Sequence, residues 1–64
     1  MKGTPEFLKK SRKKLGLTVE EMAYELSISE PMYKFLEYGE PLWDTKPLRA
    51  KVREMLNVHK HRLR

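Results

Sequence analysis

The 64-residue chain contains no cysteine, which removes disulfides and thiolate metal sites from consideration. A small domain without bridges fits the cytosol, where disulfides are rare. No apolar run approaches the roughly 20 residues of a membrane span, and the N-terminus carries no signal-peptide core. The chain opens on Met1, and the expectation is a complete, soluble, cytoplasmic protein. Glycine is scarce, at three residues, and none builds a phosphate-cradling loop. No nucleophile–base pair and no clustered carboxylate dyad is visible. His59 and His61 have no third ligand candidate nearby, so neither a metal site nor a cofactor is expected. A chain this short buries only about 60% of its unfolded surface. One domain is all it can form, and an enzyme is not expected.

What the chain does have is charge, arranged in blocks. The net charge is +5. Residues 1–15 carry +5, residues 16–45 carry −6 and residues 46–64 carry +6. The acidic block comprises Glu20, Glu21, Glu25, Glu30, Glu37, Glu40 and Asp44 against Lys34 alone. Long-range attraction to a polyanion would therefore come from the two ends.

Helical signals run through the whole chain, and there is no strand signal. Thr4-Pro5-Glu6 reads as an N-cap, a first-position proline and a first-turn acid. Phe7, Leu8, Ser11 and Leu15 share a stripe, and Gly16 is placed for a left-handed C-cap. Thr18 with Glu21 forms a capping box, and Met22, Ala23 and Leu26 face inward. Ser27-Ile28-Ser29 makes a turn, Ser29 caps the next helix, which starts Glu30-Pro31 with proline again at the first helical position, and Tyr33 and Leu36 point inward. Gly39 ends that helix. Residues 40–46 form a loop, and from Pro47 a last helix runs to about Asn57 with Leu48, Val52, Met55 and Leu56 buried. The domain is expected over 1–58, with 59–64 a basic, flexible tail.

The stretch LKKSRKKLGLTVEEMAYELSISEPMYKFLEYGEP resembles the Cro/C1-type helix-turn-helix family of phage repressors and small bacterial transcriptional regulators, from about Leu8 to Val58. With Val19 as the first motif position, Met22, Leu26, Ile28, Tyr33 and Leu36 fall on the family's apolar positions and Ala23 on its small one. Arg12 and Glu37 stand where the family pairs an arginine with a glutamate, and Gly39 matches the glycine that follows. The resemblance implies an all-α, compact four-to-five-helix lambda-repressor-like domain with the helix-turn-helix at about 18–38. It also implies a structural Arg12–Glu37 salt bridge. Three residues depart from the pattern. Val19 replaces a glutamine that braces the third helix, Ser27 replaces a turn glycine, and Tyr33 exceeds the usual Val or Ile and is expected to reach solvent with its hydroxyl.

By the same resemblance, the third helix enters the major groove of double-stranded DNA. The positions carried over are Thr18, Ser29, Glu30, Met32, Lys34, Phe35, Tyr38 and Lys46. Arg, Asn and Gln, the usual bidentate base readers, are missing among them. Glu30 suits cytosine N4, Met32 and Phe35 suit thymine methyls, and Lys34 suits a phosphate or guanine. Thr18 and Ser29, at helix N-termini, suit phosphates, as does Lys46. Against this, Glu30 reads equally as a first-turn acid, Met32 and Phe35 as partly core, and Lys34 and the lysines of the first helix as solvated. An exposed Met32/Phe35/Tyr38 patch flanked by acids would instead suit a protein partner. Trp43 is expected as a core lid or dimer contact. Relatives bind as dimers, and a homodimer here would use Leu42-Trp43, the last helix or the tail. The function implied is an operator-binding regulator carried by a phage or other mobile element. The alternative is a protein-binding helix-turn-helix, such as an antirepressor, co-regulator or assembly partner.

Overall fold

A computed structural model describes residues 3–62 and contains four helices and no strand among them. These are α1 (Thr4–Leu15), α2 (Val19–Glu25), α3 (Glu30–Tyr38) and α4 (Lys46–Arg62). A fifth helix is not present within that range. α1 is the centre of the arrangement: α3 packs on it, α4 packs on it, and α2 reaches it chiefly through α3. Leu8, Met22, Ala23, Leu26, Tyr33, Leu36 and Val52 form the core, taking at least one residue from every helix. Phe7, Leu15, Leu17, Val19, Ile28, Leu48, Met55 and Leu56 pack around it, half-buried.

The helix ends explain the tight connections. Gly16 sits at φ 72, the left-handed conformation that glycine adopts without a Cβ penalty. Its amide donates to the Lys13 carbonyl and that of Leu17 to the Arg12 carbonyl, both at 3.1 Å, which is the Schellman pattern. The same pattern closes α2. Ser27 N–H reaches the Tyr24 carbonyl and Ile28 N–H the Ala23 carbonyl, both at 3.1 Å. Here the left-handed residue is Ser27, at φ 59. Thr18 and Glu21 form the expected reciprocal capping box, and the Ser29 hydroxyl accepts from Met32 N–H at 3.2 Å.

Five local expectations are corrected. Thr4 is the first helical residue rather than the N-cap. Gly3 holds the cap position without a side-chain bond, and Pro5 and Pro31 are the second residues of their helices, not the first. Thr4 is instead fully buried, its hydroxyl 3.3 Å from that of Thr45. Its amide donates to Glu40 Oε1 at 3.3 Å, so the start of α1 is satisfied by a carboxylate 36 residues away. Tyr33 does not reach solvent: it is completely buried, and its hydroxyl lies 3.4 Å from the Leu8 carbonyl. Trp43 is no core lid, since its side chain is half-exposed. The last helix passes Asn57 and continues to Arg62. No glycine or proline follows Pro47 to stop it, and half-buried His59 extends its packed face. Leu63 and Arg64 of the expected tail lie outside the described residues.

Candidate functional site

The outer face of α3 is the surface of interest, and its inner face determines how firmly that surface is held. Tyr33 and Leu36 are core residues, and Glu37, the next residue, is buried with them. A carboxylate in that position needs partners, and Arg12 on α1 supplies two bonds. Arg12 Nε donates to Glu37 Oε2 at 2.7 Å and Nη2 to Oε1 at 3.3 Å. This is the two-pronged geometry in which arginine outperforms lysine. The remaining prong, Nη1, donates to the Leu17 carbonyl at 3.3 Å, which ties the α1–α2 connection to the same cluster.

The electrostatics agree with that geometry. Burial alone would raise the Glu37 pKa, but hydrogen bonds from Arg12 and Tyr33 and the guanidinium charge outweigh burial and hold the carboxyl below its ordinary value. Arg12 is held above its own ordinary value, first by the bond to Glu37. Burial, reinforced by the neighbouring carboxylate, pushes the Tyr33 phenol well up. The hydroxyl donates to the Leu8 carbonyl at 3.4 Å, with the Glu37 carboxylate as its charged neighbour. The expected Arg12–Glu37 salt bridge is therefore present.

On the outer face, Ser29, Pro31, Met32 and Phe35 line one shallow apolar groove together with Trp43. The Phe35 and Trp43 rings stack at 6.0 Å between centroids, with planes 20° apart. Met32 is 41% exposed, Phe35 and Trp43 are each 49% exposed and Tyr38 is 79% exposed, so none of them belongs to the core. Glu30 and Lys34, one turn apart, form an exposed ion pair at 3.4 Å. Tyr38 stands apart from the groove, under the Lys9 ammonium at 5.2 Å from its ring centre. Lys46 begins α4, where its amide donates to Asp44 Oδ1 at 3.0 Å while its side chain is exposed. Thr18 and Ser29 use their hydroxyl oxygens as acceptors for helix amides. Each hydroxyl proton is still left to donate outward.

Of the candidate positions, Ser29, Met32 and Phe35 are thus brought together, and Glu30 and Lys34 engage each other. Thr18, Tyr38 and Lys46 mark separate helix ends. Trp43 as the neighbour of Phe35, and Lys9 as that of Tyr38, were not legible from local patterns, because each contact joins two different elements. Among the described residues no helix is long and apolar enough to cross a membrane, and no three His, Cys, Asp or Glu side chains are grouped to hold a metal. Comparison with models of protein families, with curated proteins and with solved structures found no significant match.

Proposed function

We propose that the chain is a small sequence-specific DNA-binding transcriptional regulator of the Cro/C1 kind, with α2, the Ser27 turn and α3 acting as a helix-turn-helix. The observation that carries this reading is the two-sided character of α3. One face is locked through Tyr33, Leu36 and Glu37, while the other leaves Met32, Lys34 and Phe35 open along a nine-residue helix. A rigid helix with a free outer face is what major-groove reading requires. Thr18, Ser29 and Lys46 act on the phosphates in this reading.

Selection of bound duplexes from a random pool, followed by a salt series, tests it. The acidic block at 16–45 keeps the number of phosphate contacts low. A preferred sequence is therefore expected, with log K falling against log salt at a slope no steeper than about −4, corresponding to about four contacts. A steep slope without sequence preference would assign binding to the basic ends instead. A second reading, a protein-binding helix-turn-helix, is favoured by the stacked, half-exposed Phe35–Trp43 pair, because aromatic residues are enriched in protein interfaces. Absence of any DNA complex at low salt, with a stoichiometric complex to another regulator, would decide for it.

A further inference from the structure

We infer that copies of this chain bind one another through two unlike surfaces: the acidic outer face of α2 on one copy and a cation-rimmed groove between α1 and α4 on the next. This goes beyond the role proposed for α3 and does not depend on it, because neither surface includes the outer face of that helix.

The face on α2 is built from Glu20, Glu21, Tyr24 and Glu25, with Leu17 at its edge. Tyr24 is 82% exposed, while Met22 and Ala23 hold the inner side of the same helix in the core. The charge pattern is unfavourable for α2 by itself. The helix contains no basic residue. Glu21 and Glu25 are like charges one turn apart, and Glu25 stands at the negative end of the helix dipole. Neither Glu20 nor Glu25 has an ion-pair partner among the described residues. A cationic surface brought from outside relieves both effects.

The groove offers that surface. Lys14 of α1 and Arg53, Leu56, Asn57, His59 and Lys60 of α4 line it. Arg53, Asn57 and Lys60 are exposed at helical spacing along α4, with half-buried Leu56 among them. Arg53 is held over the Phe7 ring, 5.4 Å from its centre. Lys14, Arg53 and Lys60 also have no ion-pair partner among the described residues. Three cations thus match three carboxylates, and the Tyr24 ring meets Leu56 and the Arg53 guanidinium, contacts that suit an aromatic residue at an interface. A partly exposed apolar strip of Leu15, Leu17, Met55 and Val58 adjoins both surfaces, reaching Glu25 on one side and His59 on the other. Lys51 and Glu54 border it with one charge of each sign. A second copy therefore covers apolar surface as well as matching charge. A nucleic acid suits the groove but is repelled by the acidic face, whereas a second copy satisfies both. The contact is heterologous, since each copy contributes a different patch.

Sedimentation velocity of the protein alone, over a concentration series and without nucleic acid, tests this. Association is expected, and it should weaken about tenfold as salt rises from about 0.1 M to about 1 M, the scale of three exposed ion pairs acting together. Two variants separate the surfaces: Glu20→Lys with Glu25→Lys on α2, and Lys14→Glu with Lys60→Glu at the groove, all exposed positions. Each variant alone should associate about tenfold more weakly than the unaltered chain. An equimolar mixture of the two should associate as the unaltered chain does. The single tryptophan, Trp43, lies outside both surfaces, so its emission should stay constant on association. A chain that remains monomeric, an association insensitive to salt, or a shift in Trp43 emission would overturn the proposal. So would folded variants that associate normally, or a mixture no stronger than its components. The salt series and the emission need only the unaltered chain, so a variant that fails to fold leaves the test intact. Operator binding is read separately by the selection of duplexes, and failure here leaves the regulator standing.

Discussion

Arg12 and Glu37 contribute different things to one contact. Glu37 is almost completely buried and Arg12 is partly open, so the loss of each partner has unequal consequences. Without Arg12, a carboxylate is left among Leu36, Tyr33 and the base of α1; without Glu37, the guanidinium can still turn to water. Arg12→Met is therefore expected to cost about 3 kcal/mol, more than Glu37→Leu, while the double variant should recover part of the loss. Thermal melts of the three variants check this, and simple additivity would contradict it. The same cluster sets two pH limits. The Glu37 pKa is lower in the fold than outside it. Its contribution is thus complete above the unfolded value of about 4.3 and is lost as pH falls through the folded one. Tyr33 is shifted the other way. Its contribution is complete below about pH 10 and is lost as pH rises through its raised value. The melting temperature should accordingly drop at both extremes. Glu37→Gln should flatten the acid limb and Tyr33→Phe the alkaline one, each leaving the other limb in place.

At the scale of elements, the decisive feature is the left-handed residue between α2 and α3. Ser27 closes a Schellman cap at φ 59, a conformation that costs a residue with a side chain about 1 kcal/mol. Ser27→Gly should raise the melting temperature by several degrees, because about 1 kcal/mol shifts a domain of this size by roughly 4–8 °C. Gly16→Ala, at the equivalent position after α1, should lower it, and differential scanning calorimetry distinguishes the two signs. The left-handed place of Ser27 was implied by the resemblance, which sets this serine where relatives carry a turn glycine. The capping box, the Gly16 cap and the apolar faces of all four helices were legible in the sequence, being local and periodic. The rest depended on distant partners. Thr4 looks like an N-cap until Thr45, 41 residues on, takes its hydroxyl. Tyr33 looks like a residue that could reach water until the Leu8 carbonyl and Glu37 engage it. Nothing around Trp43 announces that Phe35 lies beside it. The end of α4 was placed too early because a run of basic residues resembles a tail, although charge alone does not stop a helix.

For the molecule as a whole, charge and packing follow different boundaries. The acidic block spans α2 and α3, while α1 and α4 carry the basic residues. The strong attraction to a polyanion and the proposed reading surface are thus on different helices. Packing groups the helices in another way. α2 leans on α3 and α3 on α1, whereas α4 rests chiefly on α1, with Val52 as its one fully buried core residue among those described. Detachment of α4 would expose that valine and break the Thr4–Thr45 contact without disturbing the Arg12–Glu37 cluster. The fold is therefore expected to open in stages. Native-state hydrogen exchange should show the α4 amides exchanging through a partial opening of lower free energy than that of α3. Exchange of α3 and α4 in a single cooperative step would refute the hierarchy. In such a protein the rigidity of the reading helix would persist while a quarter of the chain is transiently undocked.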